Sequence, residues 1–297
     1  MTETVDIVTG ASGLLGRNLI RLMEADRDAC RIVAIDPQID LVQQSFGANV
    51  LPISGSSADV LGIADGYKIR RIFHFGGYAR IASSFVEPET VFDNNVSSVL
   101  PLVRLWRETQ CLFINAASSS VFSVPLSGAD QGRALSPYTL SKDFMVQLLT
   151  NYASWYNLSY RNLYFYNVYG RNEVNSERAT VVESLLARRK LGLSLQISKP
   201  GTQRRVFTHV SDAVCAASLA ANESRDGDYH IGSDDTYSLL GLARLIGGPV
   251  EMTEPPISAR DVASVVHPEL RPNNWDIKYS VDRFVSEELN AKPSARV

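Results

Sequence analysis

Short apolar, β-branched runs alternate along this chain with longer stretches in which apolar residues recur every three or four positions. Val5-Asp6-Ile7-Val8 is the first run, and Leu14, Leu15, Leu19, Ile20, Leu22 and Met23 form the first helical stripe, which ends in the polar Asp26-Arg27-Asp28. Strands are predicted at 31–36, 49–53, 71–75, 111–117 and 161–166. Helices are predicted from Pro88 to about 109 and from Pro137 to about 155, proline being suited to a first helical turn. A helix over about 180–191, strands at 195–197 and 203–210, a helix through 221 and a strand at 229–232 follow. Prolines 255, 256, 268 and 272 mark looped chain near the end. Strands alternating with helices predict an α/β fold, a parallel sheet wound on both faces.

The turn between the first strand and helix carries three glycines spaced three apart, Gly10-Ala11-Ser12-Gly13-Leu14-Leu15-Gly16. In such a turn the first glycine reverses the chain, the second lets backbone approach a pyrophosphate, and the third packs helix on strand. Free N–H groups at the helix start, around Ser12 and Leu14, face the anion. Asp36 ends the second strand 20 positions beyond Gly16, where an acid bonds the adenosine ribose hydroxyls and repels a 2′-phosphate. The expected cofactor is therefore NAD, on a Rossmann-type doubly wound sheet. Residues 1–169 and 206–232 are assigned to this domain, and 170–205 and 233–297 to a smaller α/β substrate-binding lobe.

Charge changes the picture only by exclusion. A net charge of -3 gives no electrostatic reason to expect nucleic acid or an anionic membrane. Phosphate binding must come from a few placed groups. No signal peptide and no bilayer-spanning stretch is read from the sequence, and three scattered cysteines without metal-ligand spacing suit a reduced cytoplasmic setting. No metal site is expected.

Two clusters carry candidate chemistry. Tyr138 and Lys142 stand four apart on a predicted helix, hence on one face, where an ammonium favours phenolate and fits the tyrosine for proton exchange with a hydroxyl. The spacing alone also suits an ordinary surface helix. Ser118-Ser119-Ser120 follows the fifth strand, and ligands of open parallel sheets sit beyond the carboxyl ends of strands.

With these residues in order the chain resembles the extended short-chain dehydrogenase/reductases, in particular the NAD-dependent nucleotide-sugar epimerase/dehydratase group. The resemblance rests on GASGLLG, Asp36, FHFGG at 73–77, DNNV at 93–96, AASSSVF at 116–122, YTLSK at 138–142, YNVYG at 166–170, RVFTHVSD at 205–212 and YHIGS at 229–233. It implies Ser118, Tyr138 and Lys142 as catalytic residues, Lys142 also holding the nicotinamide ribose. It implies Ser118, Ser119 and Asn167 as substrate contacts, with Arg205 and Arg271 clamping a diphosphate; the alternative for each arginine is a surface charge. Family members that eliminate water carry acids where Ser119 and Ser120 stand. Tyr164 replaces an arginine, Ser56 stands near an expected adenine-contacting acid, and Phe122-Ser123 replaces Tyr-Gly.

The expectation is an epimerase acting on a nucleotide-diphosphate sugar, at C4, through a transient 4-keto sugar. Alternatives are a 4-keto nucleotide-sugar reductase or dehydrogenase, a variant dehydratase, and a non-catalytic NAD-binding scaffold. A homodimer is expected through Val96, Val99, Leu100, Val103, Phe144, Met145, Leu148 and Leu149, which could also simply pack on the sheet.

Overall fold

Every strand predicted up to residue 166, together with the one at 229–232, enters one sheet, whereas those at 195–197 and 203–210 lie outside it. The structure, a computed structural model, describes residues 2–26, 30–64, 66–122, 136–171, 179–255 and 265–291. Arg27, Asp28, Ser123 and Pro256, singled out above, lie outside the described residues.

In chain order the elements are β1 (Glu3–Thr9), α1 (Leu14–Glu24), β2 (Arg31–Asp36), β3 (Val50–Ser54), α2 (Val60–Ala64), β4 (Tyr67–His74), α3 (Pro88–Asn95), α4 (Leu100–Thr109), β5 (Leu112–Ser118), α5 (Pro137–Tyr156) and β6 (Tyr160–Phe165). Then come β7 (Val168–Tyr169), α6 (Val181–Lys190), β8 (Leu195–Ser198), β9 (Arg204–Val206), β10 (Thr208–His209), α7 (Val210–Ala220) and β11 (Gly227–Ile231). The chain closes with β12 (Thr236–Ser238), α8 (Leu239–Ile246), β13 (Val250–Thr253) and α9 (Val281–Asn290).

Seven parallel strands form the central sheet in the order β3-β2-β1-β4-β5-β6-β11. The order reverses between β1 and β4, and at such a switch point the crossovers diverge and leave a crevice at the strand ends. One face buries Val8, Leu19, Ile20, Ala34, Phe73, Ile114, Leu163 and Val214 beneath α1 and α7. The other buries Ile7, Val33, Ile72, Phe113, Trp106, Met145 and Leu149 beneath α4 and α5. A third core joins Tyr169, Leu185, Leu186, Ile197, Phe207, Leu242, Ile246 and Phe284 from the later elements.

Local chemistry explains where expectation and structure part. The helix expected from Pro88 to about 109 is two helices, with a 3-10 turn at Ser97–Val99 between them. Pro101 has no N–H to donate and so cannot continue a helix through its own position. The segments on either side of the proline-marked loop, for which no element is predicted, carry β12, α8 and β13 before it and α9 after it. The 203–210 strand is broken: β9 pairs antiparallel with β12, and β10 pairs with β7, both outside the central sheet. Asp6, an acid inside a buried strand, is neutralised by Arg70, whose Nε and Nη2 donate to it at 2.9 and 2.5 Å. The β1–β4 register slips there, pairing Val5 with Ile69 but Asp6 with Arg71, so Arg70 is the extra residue.

The expected dimer residues divide. Val99, Val103, Met145 and Leu149 are buried under the sheet, whereas Leu100 and Phe144 are 50% and 46% exposed. No described helix is long and apolar enough to cross a membrane.

Candidate active site

The crevice at the β1/β4 switch is a cleft of about 370 Å³ lined by Gly10, Gly13, Asp36, Ser56, Gly76 and Tyr78 among others. Gly10 has φ +68, and a Cβ there would stand 2.5 Å from the Gly76 nitrogen. A side chain is therefore excluded both by conformation and by space. At Gly16 a Cβ would come 2.2 Å from the Gly10 carbonyl oxygen, so helix and turn touch through backbone alone. The Asp36 carboxylate accepts the Ser12 N–H at 3.2 Å and the Gln38 N–H at 2.8 Å, which holds it at the cleft wall beside the glycine turn. Ser12 Oγ is buried with no hydrogen-bond partner among the described residues. Leu14 opens α1 and packs on the core. Ser56 spends its side chain on Asp59, which accepts from both its Oγ and its N–H at the start of a 3-10 turn.

Beyond the carboxyl end of β5, Ser118 leads into the turn Ser119–Phe122. The helix α5 docks there through two bonds. Lys142 Nζ donates to the Ala116 carbonyl at 2.9 Å, and Thr139 Oγ1 donates to Ser120 Oγ at 3.3 Å. Ala116 and Ser120 lie on either side of Ser118, and Thr139 and Lys142 follow Tyr138, so the bonds bring Ser118, Tyr138 and Lys142 to one strand end. Ser136 starts the helix by accepting the Thr139 N–H at 3.0 Å. Tyr138 and Lys142 are both buried, and burial lowers the Lys142 ammonium to about 8. Ser119 is buried beside them.

His74 and Asn95 also belong to this neighbourhood; both sit inside quoted motifs, but nothing in their spacing gave them a role. His74 Nδ1 lies 2.8 Å from Thr9 Oγ1, which also accepts the Gly76 N–H at 3.3 Å. Burial first, and then the Lys142 charge, push the imidazole down to about 3, so it is neutral.

Bonds between the loops after β6 and β11 link the segments that carry the residues expected to hold a diphosphate. Asn167, at φ +29, donates to the Val206 carbonyl at 2.7 Å, beside Arg205 on β9. Phe207 donates to the Asp235 carbonyl at 2.9 Å, and Asp234 next to it accepts from Arg271 Nη2 at 2.7 Å. Arg205 Nη1 donates to the Arg204 carbonyl at 2.8 Å. Arg271 Nε is buried without an acceptor among the described residues, so this guanidinium still has a donor to give.

Where the family pattern has an arginine, Tyr164 is buried in an aromatic stack. Its ring centroid is 4.7 Å from Phe122, which stacks on His230 at 5.1 Å. Tyr166 Oη lies 2.8 Å from both the Val265 carbonyl and His230 Nδ1, and the His267 N–H points at the same ring nitrogen at 3.4 Å. Burial lowers His230 to about 4 and keeps it neutral.

A family model described as the NAD dependent epimerase/dehydratase family matches residues 7–232. The chain is 25% identical over 218 residues to UDP-glucose 4-epimerase of Streptomyces lividans, spanning 66%, just under two thirds, of each chain. It is 21% identical over 266 residues to UDP-glucuronic acid decarboxylase 3 of Arabidopsis thaliana, covering 81% of this chain and 72% of that one. UDP-glucuronic acid 4-epimerase of Bacillus cereus, solved with UDP-glucuronic acid and NAD, shares the Rossmann-type fold at a TM-score of 0.83 and 19% identity, over 96% of this chain and 97% of that one.

Proposed function

The chain belongs to the NAD-dependent epimerase/dehydratase family, and from that premise we propose that it inverts C4 of a nucleotide-diphosphate sugar through a transient 4-keto form. The observation that carries this reading is the docking of α5 on β5. It gathers a hydroxyl donor (Ser118), an acid/base (Tyr138) and a buried ammonium (Lys142), with no carboxylic acid at positions 119 and 120.

NAD, the cofactor of this family, fits this chain's own residues. The glycine turn has a cradle that a Cβ at Gly10 would fill, and Asp36 stands at the cleft wall. Gly10, Ser12, Gly13, Leu14 and Gly16 would hold the pyrophosphate, Asp36 the adenosine ribose, and Tyr138 and Lys142 the nicotinamide ribose. Bound there, NAD supplies a reversible hydride acceptor.

Tyr138, as phenolate, takes the proton of the sugar hydroxyl, and Lys142 supplies positive charge beside it. Ser118 donates a hydrogen bond to the same sugar oxygen as it becomes a carbonyl. Arg205, Arg271 and Asn167 hold the diphosphate, Arg being suited by its planar fork, and Ser119 borders the sugar. A substrate tethered by its diphosphate can turn its sugar over without leaving, after which Tyr138 returns the proton. We read the third core as the nucleotide-sugar lobe and the protein as a cytoplasmic homodimer joined through the exposed Leu100 and Phe144 face.

The similarity to a UDP-glucuronic acid decarboxylase supports a second reading, a variant reaction with loss of a group from the sugar. Against it stand the hydroxyls of Ser119 and Ser120, which cannot act as acid or base near neutral pH. A Tyr138→Phe variant separates function from fold. Turnover of UDP-hexose falls about 10²- to 10⁴-fold with unchanged circular dichroism. Full turnover by that variant removes Tyr138 from the mechanism.

A further inference from the structure

The Ser118 hydroxyl belongs to a row of four. Its oxygen accepts the Ser120 backbone N–H at 3.2 Å, and its proton goes to Ser120 Oγ at 3.0 Å. Ser120 Oγ also accepts the Thr139 hydroxyl at 3.3 Å, and Thr139 Oγ1 lies 3.0 Å from Ser136 Oγ. Ser120, Thr139 and Ser136 are all buried, so bulk water does not compete for these bonds. The row spans the gap between the turn after β5 and the first turn of α5. It therefore fixes Ser118 against the residue that follows Tyr138.

A hydroxyl donates one hydrogen bond and accepts others, so such a row can change direction by rotating O–H bonds while the heavy atoms stay in place. At rest Ser118 donates into the row. When Ser118 turns its proton toward a substrate oxygen above the end of β5, the Ser120 hydroxyl can rotate to donate back to Ser118 Oγ. Thr139 continues to donate to Ser120. Ser118 thus gains a substrate bond without leaving a buried oxygen unpaired, an outcome that would otherwise cost more than the bond gains. Alanine at 120 would remove this exchange and free the Ser118 rotamer; threonine would keep the hydroxyl.

We infer that Ser120 is a positioning residue that orients Ser118 for donation to the substrate oxygen, tethered to α5 by Thr139. This rests on the reading of Ser118 as the donor to the sugar oxygen. The test compares wild type, Ser120→Ala, Ser120→Thr, Ser118→Ala and the double alanine variant, all NAD-loaded, with UDP-glucose and with UDP-glucuronic acid, alongside a crystal structure of Ser120→Ala. Ser120→Ala lowers kcat about 5- to 10-fold, the size of one neutral hydrogen bond, and leaves KM within about twofold. Ser120→Thr recovers most of that loss, and Ser120→Ala has no further effect once Ser118 is alanine. In the crystal Ser118 Oγ leaves its single rotamer while Tyr138 and Lys142 stay in place. An unchanged kcat, an equal fractional loss in both backgrounds, or an unmoved Ser118 hydroxyl would overturn the role of Ser120. If Ser118→Ala keeps full turnover, or wild type converts neither sugar, the catalytic reading fails instead, and the Ser118 rotamer still decides the positioning role.

Discussion

Asn95 bonds the backbone of Tyr78 on both sides, its Oδ1 accepting the N–H at 2.6 Å and its Nδ2 donating to the carbonyl at 3.1 Å. The same Nδ2 reaches Ser141 Oγ at 2.9 Å, and Ser141 in turn donates to the Tyr138 carbonyl at 2.8 Å. One buried amide therefore ties the cleft wall at Gly76–Tyr78 to the helix that carries Tyr138 and Lys142. An aspartate at 95 keeps the shape but loses both donors. Asn95→Asp is expected to lower stability by about 2–4 kcal/mol in urea denaturation and to weaken NAD binding. An unchanged midpoint with unchanged NAD affinity contradicts the tie.

Lys142 is held at about 8 by burial, below the ordinary lysine value of 10.5. Between those values the unfolded chain binds the proton and the folded protein does not. This group's contribution to stability therefore grows as pH rises from 8 towards 10.5 and is smallest below 8. Lys142→Met removes a buried charge. At pH 7 the variant is expected to be at least as stable as wild type, while turnover falls about 100-fold or more. Thermal melts and initial rates check both, and a destabilised but active variant contradicts the assignment.

The two arginines are tested without any sugar chemistry, by calorimetric titration with UDP. Arg205→Ala and Arg271→Ala are each expected to weaken binding about tenfold or more, since charge-assisted bonds to phosphate are among the stronger ones. The Asp234 partner of Arg271 is 83% exposed. An exposed ion pair contributes little, so Asp234→Ala is expected to change stability by no more than about 1 kcal/mol. UDP affinity indifferent to both arginines would make them surface charges.

Three histidines are buried and neutral, with burial as the main cause: His209 and His230 at about 4 and His74 at about 3. Below the ordinary value of 6.5 the unfolded chain binds protons that the folded protein refuses. Stability therefore falls as pH drops from 6.5 towards 4, by up to about 1.4 kcal/mol per pH unit for each histidine. His209 Nδ1 accepts the Ser211 N–H at the start of α7, a task asparagine can also perform. His209→Asn is expected to lose less stability than wild type between pH 7 and pH 5 in urea titrations. Equal losses would place the acid sensitivity elsewhere.

The central sheet was legible because its chemistry is local. Ile7, Val33, Phe73, Ile114 and Leu163 stand in short apolar runs, and Gly10 and Gly16 mark a turn that no side chain fits. The Tyr138–Lys142 spacing sits on the helix where it was expected. The later elements were less legible: no helix is predicted where α8 and α9 stand, and their apolar residues found a core only with distant Tyr169 and Phe207. The break at Ser97–Val99 is visible in Pro101 once its missing N–H is counted. Asn95, His74 and Ser120 take their roles from partners on other elements, such as Tyr78, Thr9 and Thr139, and sequence spacing holds no trace of those distances.

The central claim is inversion at C4 with no net redox change. Its most direct test incubates the protein with catalytic NAD and either UDP-glucose or UDP-glucuronic acid, following the sugar by proton NMR and NADH by absorbance. The account predicts that the C4 epimer accumulates to equilibrium while NADH stays at or below the amount of enzyme. NADH accumulating in step with product, or a sugar that has lost carbon dioxide or water, would contradict it.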